Sequence, residues 1–324
     1  MNIKNKYFRL FASCIPVKGI NSSLIYDLQR IEVFEISNEI YDIIPVIESN
    51  TIEDISRENP ELFKFLTKLV EEEIGFFCED TSLFPKLNTK WDLPNIISNA
   101  IIEISDKSDH DFYKIFKALD KLLCRDVLLI LYDIPDEKAI YQILTIASEN
   151  NVHYIEIWSK GRLITRKITR NFKNIRKIVI LNSKKEYEVK VNHVPVLFMK
   201  DTSFKNLCSN ATQKYNLSQV FYNESLKYNS CLNRKLSIDK DRKIKNCPFS
   251  EEDFGNYIQN NIIETVNSEK FQKLWFVNKD KINECKDCQY RYMCKDCRTF
   301  TVDNKKYNKP SFCNFSPYLN KVNK

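Results

Sequence analysis

The sequence predicts an α/β chain in three parts, and three observations carry that expectation. Residues 99–199 alternate strand-like and helix-like stretches, the spacing of right-handed crossovers in a parallel sheet. Residues 1–82 read as three strands followed by three helices. Seven cysteines fall between residues 231 and 313, far denser than in the rest of the 324 residues. The expected divisions are 1–82, 83–204 and 205–324.

In the first part, Tyr7–Val17 is rich in β-formers, Lys18-Gly19 reads as a turn, and Ser22–Leu28 returns as a second strand. Arg30–Ile36 largely alternates apolar and polar residues and makes a third. Ser37 is placed to cap a helix over Glu39–Ile44, and Thr51 to cap a second, short one. Asn59-Pro60 opens a third helix, since proline is tolerated at the first helical position. Leu62, Phe65, Leu66 and Leu69 recur at helical spacing and give it one apolar face, and Gly75 is expected to end it. This order and size resembles the winged-helix leader-peptide recognition element of peptide-modifying enzymes. The resemblance implies that a peptide adds as a strand beside the third strand, against the third helix. Phe34, Lys64 and Lys68 would then lie near the groove. The residues alone equally allow a small α+β domain that packs on its neighbour and binds nothing.

In the second part, Asn99–Ser105, Asp126–Asp133, Val152–Trp158, Ile175–Leu181 and Val194–Met199 are the expected strands. Asp126–Asp133 is a continuous apolar run, the sign of a strand buried on both faces. His110–Leu123 and Asp136–Asn150 are the expected helices. Phe112, Ile115, Phe116 and Leu119 face inward on the first, and Ala139, Ile140, Ile143, Leu144 and Ala147 on the second. Between Ser159 and Lys177 stand eight basic residues and no acidic one, Arg162, Arg166 and Arg170 among them. That stretch is either a solvated face or a dock for an acidic peptide. With Phe172 its only aromatic, it does not suggest single-stranded nucleic-acid binding.

Composition narrows the function classes. Apolar content of 43% and charged content of 29% are ordinary for a soluble globular chain. No apolar run approaches the roughly 20 residues of a membrane span. The first residues do not separate into charged and apolar regions as a signal peptide does, so a cytoplasmic protein is expected. The net charge of +7 favours an acidic partner over nucleic acid. The four glycines are scattered, so neither common phosphate-cradling loop can be written. None of the three histidines has a second at metal-ligand spacing, and each reads as structural.

The stretch Cys285-Lys-Asp-Cys288-Gln-Tyr-Arg-Tyr-Met-Cys294-Lys-Asp-Cys297 carries the chemistry. A C-x2-C pair lets two sulfurs from one tight turn reach a single metal centre, and thiolates are strong ligands for zinc and for iron–sulfur clusters. Spacing leaves both metals open. Disulfides are disfavoured, because nothing at the N-terminus looks secretory. The run from Cys231 to Cys247-Pro and the run Cys285-x2-Cys288-x5-Cys294-x2-Cys297-x15-Cys313 resemble the two halves of a SPASM domain. The resemblance implies two auxiliary [4Fe–4S] clusters, the alternative being zinc. The inner cluster would use Cys208, Cys231, Cys247 and Cys297, and the outer Cys285, Cys288, Cys294 and Cys313. Cys14, Cys78 and Cys124 are left as buried thiols. Two positions depart from the pattern. Arg242 stands where a hairpin glycine is usual, and the last close pair is C-x2-C rather than C-x3-C.

SPASM domains follow the barrel of radical S-adenosylmethionine enzymes, which need C-x3-C-x2-C to leave one iron open. No such triplet occurs here, and residues 83–200 are too short for six βα units. The second part therefore resembles a shortened, degenerate partial barrel with no site for cleaving S-adenosylmethionine. The whole chain resembles the SPASM-bearing maturation protein of grasp-with-spasm systems. The cysteine runs and the start S-C-I-P-V-K-G…I-Y-D-L-Q-R carry that match. It implies an accessory factor for a ribosomally made, post-translationally modified peptide, which binds the precursor and presents it to an ATP-grasp ligase. Two other classes stay open: a redox enzyme acting on the peptide through its clusters, and a zinc-stapled assembly adaptor.

Overall fold

The structure, a computed structural model, describes residues 5–133, 136–161, 163, 165–200, 202–212 and 215–322. Tyr7–Val17 is two strands rather than one. β1 (Tyr7–Leu10) and β2 (Cys14–Val17) are separated by a turn in which the Cys14 amide donates to the Phe11 carbonyl at 2.9 Å. β2, β3 (Ser23–Asp27) and β4 (Glu32–Ile36) form an antiparallel sheet in that order, with β2 and β4 as its edges. Helices α1 (Asn38–Ile47), α2 (Ile52–Glu58) and α3 (Pro60–Glu71) follow. The side chains of Ser37, Thr51 and Asn59 cap them, accepting from the amides of Ile40, Asp54 and Leu62. Gly75 does not end α3. The chain turns at Glu73, where φ is +55°, and Gly75 opens β5 (Gly75–Cys78), antiparallel to β1. A Cβ at Gly75 would meet the Phe8 ring at 2.4 Å, so this close passage needs glycine.

The βα layer follows the expected order: β6 (Asn99–Ile104), α4 (Phe112–Lys121), β7 (Asp126–Leu131), α5 (Glu137–Glu149), β8 (Tyr154–Ser159), α6 (Thr165–Asn171) and β9 (Ile175–Ile180). α6 lies in the basic stretch and is an addition to the expected elements, too short and too polar for its sequence to show a period. β10 (Tyr187–Val191) is also an addition, an exposed hairpin partner of the expected β11 (Val194–Phe198). Beyond it come α7 (Phe204–Thr212), α8 (Gln219–Ser225) and a hairpin of β12 (Lys235–Ile238) and β13 (Ile244–Lys245).

Eight of these strands form one open, mostly parallel sheet in the order β10-β11-β9-β8-β7-β6-β12-β13. β12 pairs with β6 in parallel, with Leu236 opposite Ala100, so the sheet runs past residue 204 into the cysteine-rich part. The reason is physical. β6 would otherwise be an edge with unpaired main-chain groups, and β12 satisfies them. The main core joins both parts: Ile102, Leu129, Ile157, Ile178, Val196 and Leu236 pack with Phe116, Leu144, Tyr257 and Phe271. Among the described residues no helix is long and apolar enough to cross a membrane.

The β12–β13 turn shows what Arg242 does in a glycine position. Its φ is +68°, and its amide donates to the Asp239 carbonyl at 3.0 Å. The Asp239 carboxylate accepts from the amides of Asp241 and Lys243, which holds the turn. A side chain in this region costs about 1–2 kcal/mol. The Arg242–Asp109 pair, 3.4 Å apart with Asp109 94% exposed, contributes little in return. Arg242→Gly is therefore expected to raise stability by about 0.5–1 kcal/mol after the extra unfolded-state entropy of glycine. Urea unfolding checks this, and a loss of stability contradicts it.

Candidate metal centre

The outer four cysteines come from one compact loop. Cys285 opens a single 3₁₀ turn (Cys285–Asp287), and the Cys288 amide donates back to the Cys285 carbonyl at 3.1 Å. Cys294 makes a bridge to Tyr215, and the Cys313 amide donates to the Pro310 carbonyl at 3.0 Å. These local turns bring Cys285, Cys288, Cys294 and Cys313 to the wall of one pocket, shared with Tyr215, Tyr290, Phe315 and Pro317. Burial pushes the Cys285 thiol up to about 11 against the pull of the Lys279 ammonium, and it pushes Cys288 up to about 12.

The inner four come from four separate elements. Cys208 lies on α7, Cys231 follows α8, Cys247 follows β13, and Cys297 closes the last C-x2-C pair. Burial first, then the charges of Cys231 and Cys247, push Cys208 up to about 12, with Cys297 adding to the shift. Burial and Cys231 push Cys297 up to about 11. Cys294 and Cys297, separated by two residues, thus have different sulfur neighbours: Cys313 for the first, Cys231 and Cys247 for the second. Thiols raised in this way are protonated at neutral pH until a metal displaces the proton. The donor sets, four sulfurs each, fit either zinc or an iron–sulfur cluster. Among the described residues no three Cys, His, Asp or Glu side chains are drawn to the spacing of a single bound ion.

Each group has a lysine against it. Lys235 Nζ donates to Cys231 Sγ at 3.4 Å, and Lys279 Nζ to Cys285 Sγ at 3.8 Å. Burial works against the charge on Lys279, but Cys294, Asp296 and Cys285 outweigh it and raise its pKa. Between the groups lies Asp296, fully buried. One oxygen accepts from Arg298 at 2.6 Å and pairs with Lys279 at 3.5 Å. The other accepts from Asn229 Nδ2 at 2.7 Å, and Asn229 Oδ1 in turn takes the Cys231 amide at 3.0 Å. Asp296, Lys235 and Arg298 stand in the sequence as letters of the cysteine runs, and no spacing marks them or Lys279 as neighbours of the sulfurs.

The outer loop also docks on the first part of the chain. The Ile20 amide donates to the Asp287 carbonyl at 2.9 Å, Arg291 to the Lys18 carbonyl at 2.5 Å, and the buried Tyr26 hydroxyl to the Gln289 carbonyl at 2.5 Å. Val17, Leu24, Tyr26 and Met293 share one apolar cluster at this junction.

Comparison with known proteins adds little. No protein-family profile matches the chain, and no curated protein matches it. Among solved structures, SuiB of Streptococcus suis bound to S-adenosylmethionine is 10% identical, over 96% of this chain and 99% of that one, with a TM-score of 0.33. The same protein bound to precursor peptide SuiA is 11% identical over the same shares, with a TM-score of 0.32. Scores this low carry no argument about shared fold or function.

The residues expected to meet a peptide fall on two surfaces. Phe34 is half-buried on edge strand β4 under the Arg30 guanidinium, 5.5 Å from its ring, and packs on the same core as Leu62 and Phe63 of α3. Lys64 and Lys68 are exposed on α3, with Lys64 paired to Glu61 at 2.7 Å. Arg166 and Arg170 are exposed one turn apart on α6, in the other sheet layer. Arg162 lies outside the described residues. Others of the basic stretch are engaged locally: Lys167 pairs with Glu137, Lys177 with Glu156, and Arg176 lies over the Tyr154 ring. Cys14, Cys78 and Cys124 are buried thiols. His110 bonds to the Glu103 carbonyl at 2.8 Å, a structural role.

Proposed function

We propose that the chain is an accessory maturation protein for a ribosomally made peptide, with a [4Fe–4S] cluster in each four-cysteine group, and that it presents the precursor to an ATP-grasp ligase. What supports this is the run of cysteines at SPASM-like spacings, with Cys285, Cys288, Cys294 and Cys313 on one pocket and a lysine ammonium against Cys231 and against Cys285. A centre held by four thiolates is an anion, and a cation beside it stabilises the bound form. The clusters would tie the loops of a small cysteine-rich region together and hold the first part of the chain against it. The ligase would supply the bond-forming chemistry through an acyl-phosphate.

The peptide side of the proposal is supported by β4. It is a sheet edge with Glu32, Val33 and Glu35 exposed, open to an added strand. Asn320 donates to Glu35 at 3.4 Å, which sets that edge beside the outer loop, where Gln289 also bonds Asn320. The exposed Lys64 and Lys68 of α3 and Arg166 and Arg170 of α6 are the two basic surfaces that an acidic precursor would meet.

Metal analysis with an absorption spectrum, on protein purified without oxygen, tests the metal reading. About eight irons with matching sulfide are expected for two four-iron clusters. Zinc in their place would make the protein a zinc-stapled adaptor. For the peptide, hydrogen exchange is expected to slow at residues 32–36 when the precursor of the same system is added. Phe34→Asp should weaken binding at least about tenfold by putting a charge in an apolar contact. Unchanged exchange at β4 would move the peptide site elsewhere.

A further inference from the structure

We propose that Lys279 is the fixed counter-charge of the outer cysteine centre and sets the potential at which that centre takes up an electron. This rests on the reading that the outer four cysteines hold an iron–sulfur cluster. The charge count around Lys279 points to it. Its side chain is 3% exposed, and its partner carboxylate, Asp296, is also claimed by Arg298 at 2.6 Å. Two buried cations therefore share one buried carboxylate, which leaves one positive charge in the interior. An unpaired buried charge is strongly disfavoured unless something negative sits against it. The sulfurs of the outer pocket are what Lys279 faces, with Cys285 Sγ at 3.8 Å. The other cations of that pocket have carboxylates of their own: Lys309 pairs with Glu284 at 2.7 Å and Arg291 with Asp280 at 3.1 Å.

A cluster that accepts one electron gains one negative charge. A cation held a few ångströms away in a low-dielectric site favours the reduced form over the oxidised one. The step is one electron from a low-potential one-electron donor to the cluster. No bond forms or breaks, and the ammonium keeps its proton in both states. Lys279 is thus a positioning residue for charge, and its role is separate from that of the sulfurs.

The test compares full-length wild type with Lys279→Met and Lys279→Arg, all purified without oxygen. Iron and sulfide are counted, and reduction by dithionite with redox mediators is followed by electron paramagnetic resonance. The outer signal is the one missing from the Cys288→Ala/Cys294→Ala protein. Lys279→Met leaves Asp296 and Arg298 as a neutral pair, so the fold should hold. Its oxidised-to-reduced ratio at the wild-type midpoint should rise at least about tenfold, a shift of about 59 mV for one electron. Lys279→Arg keeps the charge and should stay within about threefold on the same scale. An unchanged midpoint in a Lys279→Met protein that keeps its iron overturns the proposal. Loss of iron in Lys279→Met but not in Lys279→Arg supports it, because charge is then what the centre needs. Loss of iron in both overturns it in favour of shape. Wild-type protein containing zinc or no metal removes the cluster reading itself, an outcome distinct from all of these.

Discussion

Replacing Cys288 and Cys294 by alanine should halve the iron content and free the strands that dock on the outer loop. Both sulfurs line the outer pocket. The iron expected is thus about four per chain instead of about eight. The turn from Cys285 to Cys294 has little regular structure, so bound metal is the main thing that would hold its shape. That turn presents the Asp287 carbonyl to Ile20 and the Gln289 carbonyl to Tyr26. Hydrogen exchange across residues 19–27 should therefore accelerate at least about tenfold, the response of a segment whose dock has loosened. Solubility should fall as Val17, Leu24 and Met293 are uncovered. Tyr26→Phe is the control: it removes one buried hydrogen bond, costs about 1–3 kcal/mol, and should leave iron unchanged. Full iron in the double variant would contradict the ligand set, and unchanged exchange would contradict the dock.

Asp296→Ala should be the most damaging single change outside the cysteines. It strips the carboxylate from Arg298 and Lys279 and leaves two buried cations, with an expected loss of about 3–5 kcal/mol. It also frees Asn229, which holds the Cys231 amide, so the inner group should lose order as well. Urea unfolding measures the loss. Asp296→Asn should cost less, because the amide keeps an acceptor for Arg298. Adding Lys279→Met to Asp296→Ala should restore part of the stability, a coupling that a double-mutant cycle isolates. A loss below about 1 kcal/mol would mean that the charges relax into solvent.

Much of the chain was legible from local rules. The caps at Ser37 and Thr51 and the start at Asn59-Pro60 sit where a short polar side chain reaches an amide three residues on, and that reach is a property of sequence alone. The continuous apolar run of β7 and the amphipathic faces of α4 and α5 are likewise set by residue period. The crowded C-x2-C pairs marked the cysteines as candidate metal ligands, and Cys285, Cys288, Cys294 and Cys313 line one pocket; their division into two sets of four is what the SPASM resemblance implies.

Tertiary structure decided the rest. β1 finds β5 across 65 residues, and β12 joins β6 across the expected boundary, because a strand's partner is settled by closing main-chain hydrogen bonds over the whole fold. Cys208, on α7, feels the charges of Cys231, Cys247 and Cys297, which come from separate stretches of the chain. Lys279 and Asp296 look like ordinary surface residues in the sequence, since lysine and aspartate are mostly solvated. Only packing shows that they are buried, that they share charge, and that Lys279 lies against Cys285. Residue period and cap chemistry act over a few residues and can be read from the chain. Burial and electrostatic pairing are set by what the rest of the fold brings near.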